Sequence, residues 1–339
     1  MPTIFTGSAC EIRKSYKFTN HHSASRIAHA CRNALPLEWL ESRLFMSVSQ
    51  DVNGWTVFDQ TGSDGLKVYV SSSTGNDSTG VVGDQAHPYQ TLAGAATHLR
   101  AGHGDWMLLK KGDTWVDQSL PAIPDGQSAD YPTVVTSYGS TGAQPLIEPT
   151  ATGDFYADTG INHAAFVDLA FYDYRADPNN AAYTAVSLTA SISLTGSGSD
   201  FLLEGCSLNF GEFKVQGSPD GVGSYSDIRI RRNEIMNSYG TSAHAGGVFS
   251  HNTKHLLVEG NYFEHNGWNA QVSGAEANVF NHACTSSTPA RMSPSATTSS
   301  SSRPPRAFNS AAAARWRTTC SSIAPFPSSL PTPCPRPRR

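Results

Sequence analysis

Three stretches of the chain repeat one alternation of apolar and polar positions: SDFLLEGCSLNF from Ser199, SDIRIRRNEIMNSYG from Ser226 and KHLLVEGNYFEHNG from Lys254. Asp200, Asp227 and His255 fall at equivalent places, spaced 27 (227 − 200) and then 28 (255 − 227) residues apart. Each copy reads as a short apolar strand, a small or Asn-bearing turn and a second apolar pair. A repeat of that period marks a solenoid, whose units bury their apolar faces only against neighbouring units. Strand side chains alternate between faces. Phe201 and Leu203, Ile228 and Ile230, and Leu256 and Val258 are therefore expected to point inward. Leu202, Glu204, Arg229, Arg231, Leu257 and Glu259 then point outward, with equivalent residues about 4.8 Å apart up the stack. Arg231 falls between Glu204 and Glu259, a charged ladder read as an exposed feature that only tunes the surface. Cys206, Asn233 and Asn261 share the following turn, where an Asn amide can bond the backbone and stack on its equivalents.

An earlier, less regular copy is NHAAFVDLAFYDY, with Ala164 and Phe166 inward and Phe171 at the later apolar place. Its offset from the next copy is 37 (201 − 164), which requires an inserted loop, assigned to Asp177-Pro178-Asn179-Asn180 and its flanks. Loops projecting from a solenoid commonly carry function. A hairpin sandwich is the rival fold, but it would show turn signals at about 8–12-residue spacing.

Residues 67–96, KVYVSSSTGNDSTGVVGDQAHPYQTLAGAA, comprise a Tyr-Val-Ser strand, a Gly-Asn-Asp loop, and His-Pro-Tyr-Gln-Thr-Leu leading into a short helix. This resembles the opening of the right-handed parallel β-helix proteins of the pectate-lyase-like superfamily. The resemblance implies that residues 91–99 form a helix capping the open end of the coil, and that GDWMLLKKGDTW and YPTVVTSYGSTGAQPLIEP are its first turns. Unaided by it, residues 107–109 read as a short apolar strand and Gly112-Asp113 as a turn. The resemblance covers residues 66–282. It is specific for fold and poor for chemistry, since the superfamily includes lyases, glycoside hydrolases, esterases, phage tailspikes and adhesins. The expected fold is all-β, a right-handed parallel β-helix with an N-terminal helical cap, between a disordered leader and a disordered C-terminal tail.

Residues 1–50 form a separate leader, polar through residue 36 and without the apolar core of a secretory signal. LEWLESRLFMS, residues 37–47, resembles the Leu-Glu-x-Leu-Glu-x-Arg-x-Leu-Met-Ser motif near the N-termini of large planctomycete surface or exported proteins. Taken without the resemblance, it is an ordinary amphipathic helical turn. The resemblance implies an extracellular or envelope location. The chain has no run of about 18 apolar residues, so no membrane span is expected.

Residues 283–339 break the pattern, with no Gly, Val, Asp or Glu but Arg291, Arg303, Arg306, Arg315, Arg317, Arg336, Arg338 and Arg339. These eight arginines give the tail +8, and the remaining 16 basic (24 − 8) against 28 acidic residues give −12, for the net −4. Such a composition reads as a disordered basic tail. A sharper reading is a frameshift. Residues 291–302 and 307–323 admit codons whose neighbouring frame gives DVTVRDNIFFL and GIQLRGGGTVEDNLFLD, both echoing VEGNYF and IRRNEI. On that reading the β-helix is truncated after residue 282, its open end is a liability, and the product could lack function.

Charged residues make up only 15% of the chain, and the loops are rich in Gly, Ser, Thr and Asn. This agrees with a carbohydrate-facing coil, expected to be a monomer that binds polysaccharide and not nucleic acid. Cys206 is isolated in the body, so there is no disulfide framework. The chain contains no HExxH, Walker loop, paired CxxC or GxSxG. Asn76, Asp77 and Asp84 offer oxygen ligands that would suit calcium, but without EF-hand spacing they read as turn residues, and no cofactor is expected.

A lyase acting on acidic polysaccharide needs a base beside the uronate carboxylate and a cation to neutralise it. The richest cluster is SAHAGGVFSHNTKHLLVEGNYFEHNGW. Lys254 and His251 are the candidate bases, Arg229 the carboxylate partner, and His244, His265 and Trp268 the sugar-binding residues, Trp268 by stacking. Each also reads as a plain loop residue. A glycoside hydrolase would need two carboxylates facing one groove, for which Asp200, Asp227, Glu204 and Glu259 are available. A noncatalytic module of a surface or adhesion protein is the alternative.

Overall fold

The computed structural model describes residues 49–149, 153–185, 191–217, 223–241, 245–277 and 281–286, and the backbone of three short strands beyond them. The leader through residue 48 and most of the tail, both expected to be disordered, lie outside the described residues. The repeat resolves into three stacked sheets, each coil contributing a strand to each in turn. Sheet I contains Lys67–Val70, Trp106–Lys110, Thr133–Tyr138, Asn162–Val167, Gly198–Glu204 and Tyr225–Arg231, ending on Thr253–Lys254 and Leu257–Glu259. Sheet II runs from Thr114–Val116 through Leu146–Glu148, Ala170–Tyr172, Ser207–Asn209 and Glu234–Met236 to Tyr262–Glu264. Sheet III stacks Phe155–Ala157, Ile192–Gly196, Phe213–Gly217, Gly246–His251 and His282–Ser286. Neighbours within each of these runs are parallel, and the fold is a parallel β-helix.

Register follows the repeat. Ala164, Phe201 and Ile228 align, as do Phe166, Leu203, Ile230 and Val258. All lie in one continuous core with Phe171, Leu208, Phe213 and Val215. Apolar burial of this kind is the main source of stability, at about 25 cal/mol per Å² removed from water. The helix is shorter than the expected 91–99: it spans Leu92–Ala96, with Thr91 as N-cap accepting from Gly94 N through its hydroxyl. Leu92 and Ala95 bury in the core beside Val68 and Val70. The loop before it is built by carboxylates doing turn work. Asp77 accepts from Gln90 N and from the backbone and hydroxyl of Thr91, while Asp84 accepts from Ala86 N at 2.8 Å.

The turn between sheets I and II is held by amides, as the sequence implies. Asn233 Oδ1 accepts from Cys206 N at 2.9 Å, and its Nδ2 donates to Leu203 O and Asn261 Oδ1. Asn261 repeats the arrangement, accepting from Asn233 N and donating to Ile230 O. A second stack, not anticipated, follows sheet II: Asn266 Oδ1 accepts from Ser238 N and Oγ, and its Nδ2 donates to Ile235 O.

The charged ladder is not a surface feature. Glu204, Arg231 and Glu259 do point outward in register, but Glu204 is fully buried and Arg231 nearly so. The chain before the first coil lies across them as a strap. Its hairpin, Ser49–Gln50 paired with Thr56–Val57, receives Arg231 on Gly54 O and Thr56 Oγ1, and Arg232 donates to Asn53 O while stacking on Trp55 at 4.5 Å. Phe58 then packs over Val134, Ala165 and Leu202, a stripe on the outer face of sheet I. The strap carries no repeat of its own, so the alternation pattern gave no sign of it.

Candidate functional site

The strap occupies the outer face of sheet I over Leu202 and Arg231, whereas sheet III turns its own columns of polar and aromatic side chains outward. Alternation in FKVQG buries Phe213 and Val215 and turns Lys214 and Gln216 outward. Register then builds two columns on this face. One is Tyr156, Ser193, Lys214, Phe249 and Thr285. The other is Thr195, Gln216 and His251. Tyr156 is 56% exposed, and the Lys214 ammonium lies 6.0 Å from the centroid of the Phe249 ring. A rung of about 4.8 Å and two residues of strand rise put Lys214 and His251 roughly 8 Å apart at their Cα atoms. The face thus offers an aromatic ring and a cation in one column and an amide and an imidazole in the neighbouring one.

Acidic groups lie buried where the chain enters this sheet. Asp154 is fully buried, neither of its carboxylate oxygens has a hydrogen-bond partner among the described residues, and burial raises its pKa well above the usual range. Glu212 accepts from Gly246 N at 3.0 Å, and burial pushes it up to about 8 against the pull of the backbone hydrogen bond and of Lys214. Asp173, just past the sheet II strand Ala170–Tyr172, is also pushed up by burial, to about 6.

The residues singled out in the sequence separate. His251 ends its strand half-buried on the outer side of sheet III. Lys254 is exposed just past the corner, beside Ser226 in sheet I. Arg229 stands between Leu202 and Leu257 on the outer side of sheet I, where burial lowers its pKa to about 10, so it is not an open carboxylate receptor. Trp268 is 6% exposed, its ring edge-to-face with His265 at 4.2 Å, which leaves no free face for a sugar. His265 contacts Asn237 Oδ1 through Nδ1 at 3.0 Å, and burial lowers its pKa. His244 lies outside the described residues. Tyr156, Lys214, Gln216 and Phe249 were passed over. The alternation in FKVQG could have found two of them, but nothing in the sequence tells which of three outer faces stays open.

Asp200 and Asp227 belong to another column, His163, Asp200, Asp227 and His255, in which every residue has left-handed φ between 52° and 61°. His163 Nδ1 lies 2.8 Å from Asp200 Oδ2, and His255 Nδ1 lies 3.0 Å from Asp227 Oδ1. These carboxylates are therefore engaged along the stack. Among the described residues no group of three or more His, Cys, Asp or Glu could hold a metal ion, and no helix is long and apolar enough to cross a membrane.

The stacked sheets define a parallel β-helix protein. The GH136 lacto-N-biosidase from Eubacterium ramulus is similar at 15% identity and a TM-score of 0.42, over 67% of this chain and 50% of that one. A rhamnogalacturonan lyase is similar at 11% identity and a TM-score of 0.32, over 70% of this chain and 66% of that one. The chain spans about half the length of the lacto-N-biosidase, and at these values the likeness is one of fold alone. No family model and no curated protein matches the chain.

Proposed function

We propose that this protein is an exported β-helix protein of the pectate-lyase-like kind that binds and cleaves an acidic polysaccharide along the outer face of sheet III. The observation that carries the proposal is the placement of Lys214 and Gln216 on one strand and His251 beside Gln216 on the next, all on the outer side of sheet III. A uronate carboxylate sits against Lys214, which offsets the charge that develops on it. His251 takes the proton from the carbon bearing that carboxylate, the electron pair forms a double bond, and the glycosidic C–O bond breaks with its oxygen keeping the bonding pair and taking a proton from solvent, to which His251 later returns its own. Tyr156, three rungs from Phe249, supplies a ring on which a more distant sugar stacks. Location outside the cell or in the envelope rests on the motif at residues 37–47, and fractionation of the native host with an antibody to the chain tests it.

The full chain is incubated with a panel of polyuronates, and ultraviolet absorbance of the unsaturated product is followed. Product that appears with the wild type and disappears with His251→Ala and Lys214→Ala supports the proposal. Retention of the polyuronate on the protein without product favours the noncatalytic module, and product that survives His251→Ala sinks this assignment of the base.

A further inference from the structure

The outer columns of sheet III are graded in charge from one end to the other. No Lys or Arg other than Lys214 stands on the described strands of this sheet. Among the described residues Lys214 forms no ion pair, and its ammonium faces the Phe249 ring at 6.0 Å. Glu212, two residues before it, is buried, and burial pushes its pKa up to about 8, so at neutral pH its proton leaves the Lys214 charge uncompensated.

The other end carries the opposite sign. Alternation sends Phe155 and Ala157 into the core and turns Tyr156 and Asp158 outward. Both outward side chains are exposed, and neither makes a hydrogen bond or ion pair among the described residues. The backbone that presents them is fixed: Ile192 and Leu194 pair with Phe155 and Ala157, and Thr195 Oγ1 donates to Ala157 O at 3.1 Å and to Asp158 O at 3.3 Å. Asp158 therefore extends the column of Thr195, Gln216 and His251, as Tyr156 begins that of Ser193, Lys214 and Phe249. Two rungs of about 4.8 Å and two residues of strand put Asp158 roughly 12 Å from Lys214 at the Cα atoms. The rung between them offers the uncharged Ser193 and Thr195.

We infer that Asp158 is a specificity-determining residue of this face, admitting an uncharged sugar against Tyr156 and rejecting a uronate there, so that the polysaccharide it takes has uronates interspersed with uncharged units. The inference rests on the reading of sheet III as a polysaccharide-binding face. A chain that lies along the columns with a carboxylate on Lys214 carries a later unit over the Tyr156 ring. A uronate in that place brings a second negative charge beside Asp158, with no cation of the sheet to offset it. An uncharged unit escapes the repulsion and can donate its hydroxyls to the Asp158 carboxylate.

The test uses the full chain and one polyuronate backbone in two forms, fully ionised and partly methyl-esterified, so that charge alone differs. Binding is measured by isothermal titration at low ionic strength, beside the absorbance assay for unsaturated product. The wild type is expected to bind the partly esterified form roughly three- to tenfold more tightly, with a difference that shrinks as salt screens the charges. Asp158→Asn is expected to abolish the preference and Asp158→Lys to reverse it, both at an unchanged melting temperature. Equal or tighter binding of the ionised form by the wild type, a preference that survives Asp158→Asn, or no binding of either form overturns the inference. A preference that vanishes in Asp158→Asn while no unsaturated product forms sinks the lyase reading and leaves this one standing.

Discussion

The buried carboxylate of Glu204 accepts the backbone N–H of Thr56 at 3.1 Å, tying the strap to a strand 148 residues further along the chain. On its other side Glu204 meets Arg231 at 3.4 Å, and Arg231 also holds Glu259. Removing one member leaves a charge without its partner in a place closed to water, which costs more than losing an exposed pair. Arg231→Ala is expected to lower stability by roughly 3–5 kcal/mol, read from the midpoint of urea unfolding. Trp55→Ala tests the strap separately: it removes the ring on which Arg232 stacks at 4.5 Å, so increased proteolysis ahead of residue 60 is expected.

Asn233 satisfies the Cys206 N–H and the Leu203 carbonyl inside the coil. Asn233→Ala leaves both without partners, each at about 1–3 kcal/mol. Loss of cooperative unfolding, or a midpoint shift of that order, is expected. An unchanged denaturation curve would mean that the amide stack is ornamental.

Stability should fall as pH rises. In the folded chain Glu212 keeps its proton up to about pH 8, while the unfolded chain releases it near 4.5. Between those values the folded state holds one more proton, and each pH unit removes about 1.4 kcal/mol. Asp173 adds to the slope between 3.8 and about 6. Melting followed from pH 5 to 8 is expected to show this decline, and Glu212→Gln is expected to flatten its upper half.

The Tyr156 side chain is exposed on the outer side of its strand. Tyr156→Ala is expected to weaken retention on an acidic polysaccharide column about tenfold in affinity, or ~1.4 kcal/mol, without changing the melting temperature. Equal retention would remove Tyr156 from the binding face.

The rungs were legible because one period governs them. Phe201, Ile228 and their inward equivalents follow from alternation alone, and Asn233 and Asn261 follow from the chemistry of a tight turn. What covers an outward residue is another matter, since it depends on segments that do not repeat. Arg229 and Trp268 read as available because charge and aromaticity are visible in sequence, whereas their burial depends on how distant parts of the chain pack. The likeness of Asp200, Asp227 and His255 was visible as spacing. Their shared left-handed backbone was hinted at only by the tolerance of Asp and His for that region.

The strap also sets an order of events on the ribosome. Thr56 is synthesised 175 residues before Arg231, to which it bonds. At roughly 5–20 residues per second it must wait roughly nine to thirty-five seconds for that partner. During that interval Val134, Ala165 and Leu202 emerge one coil at a time, and Phe58 can shield each as it appears. A segment made first and fastened last can thus act as a tethered chaperone for the coil that follows it.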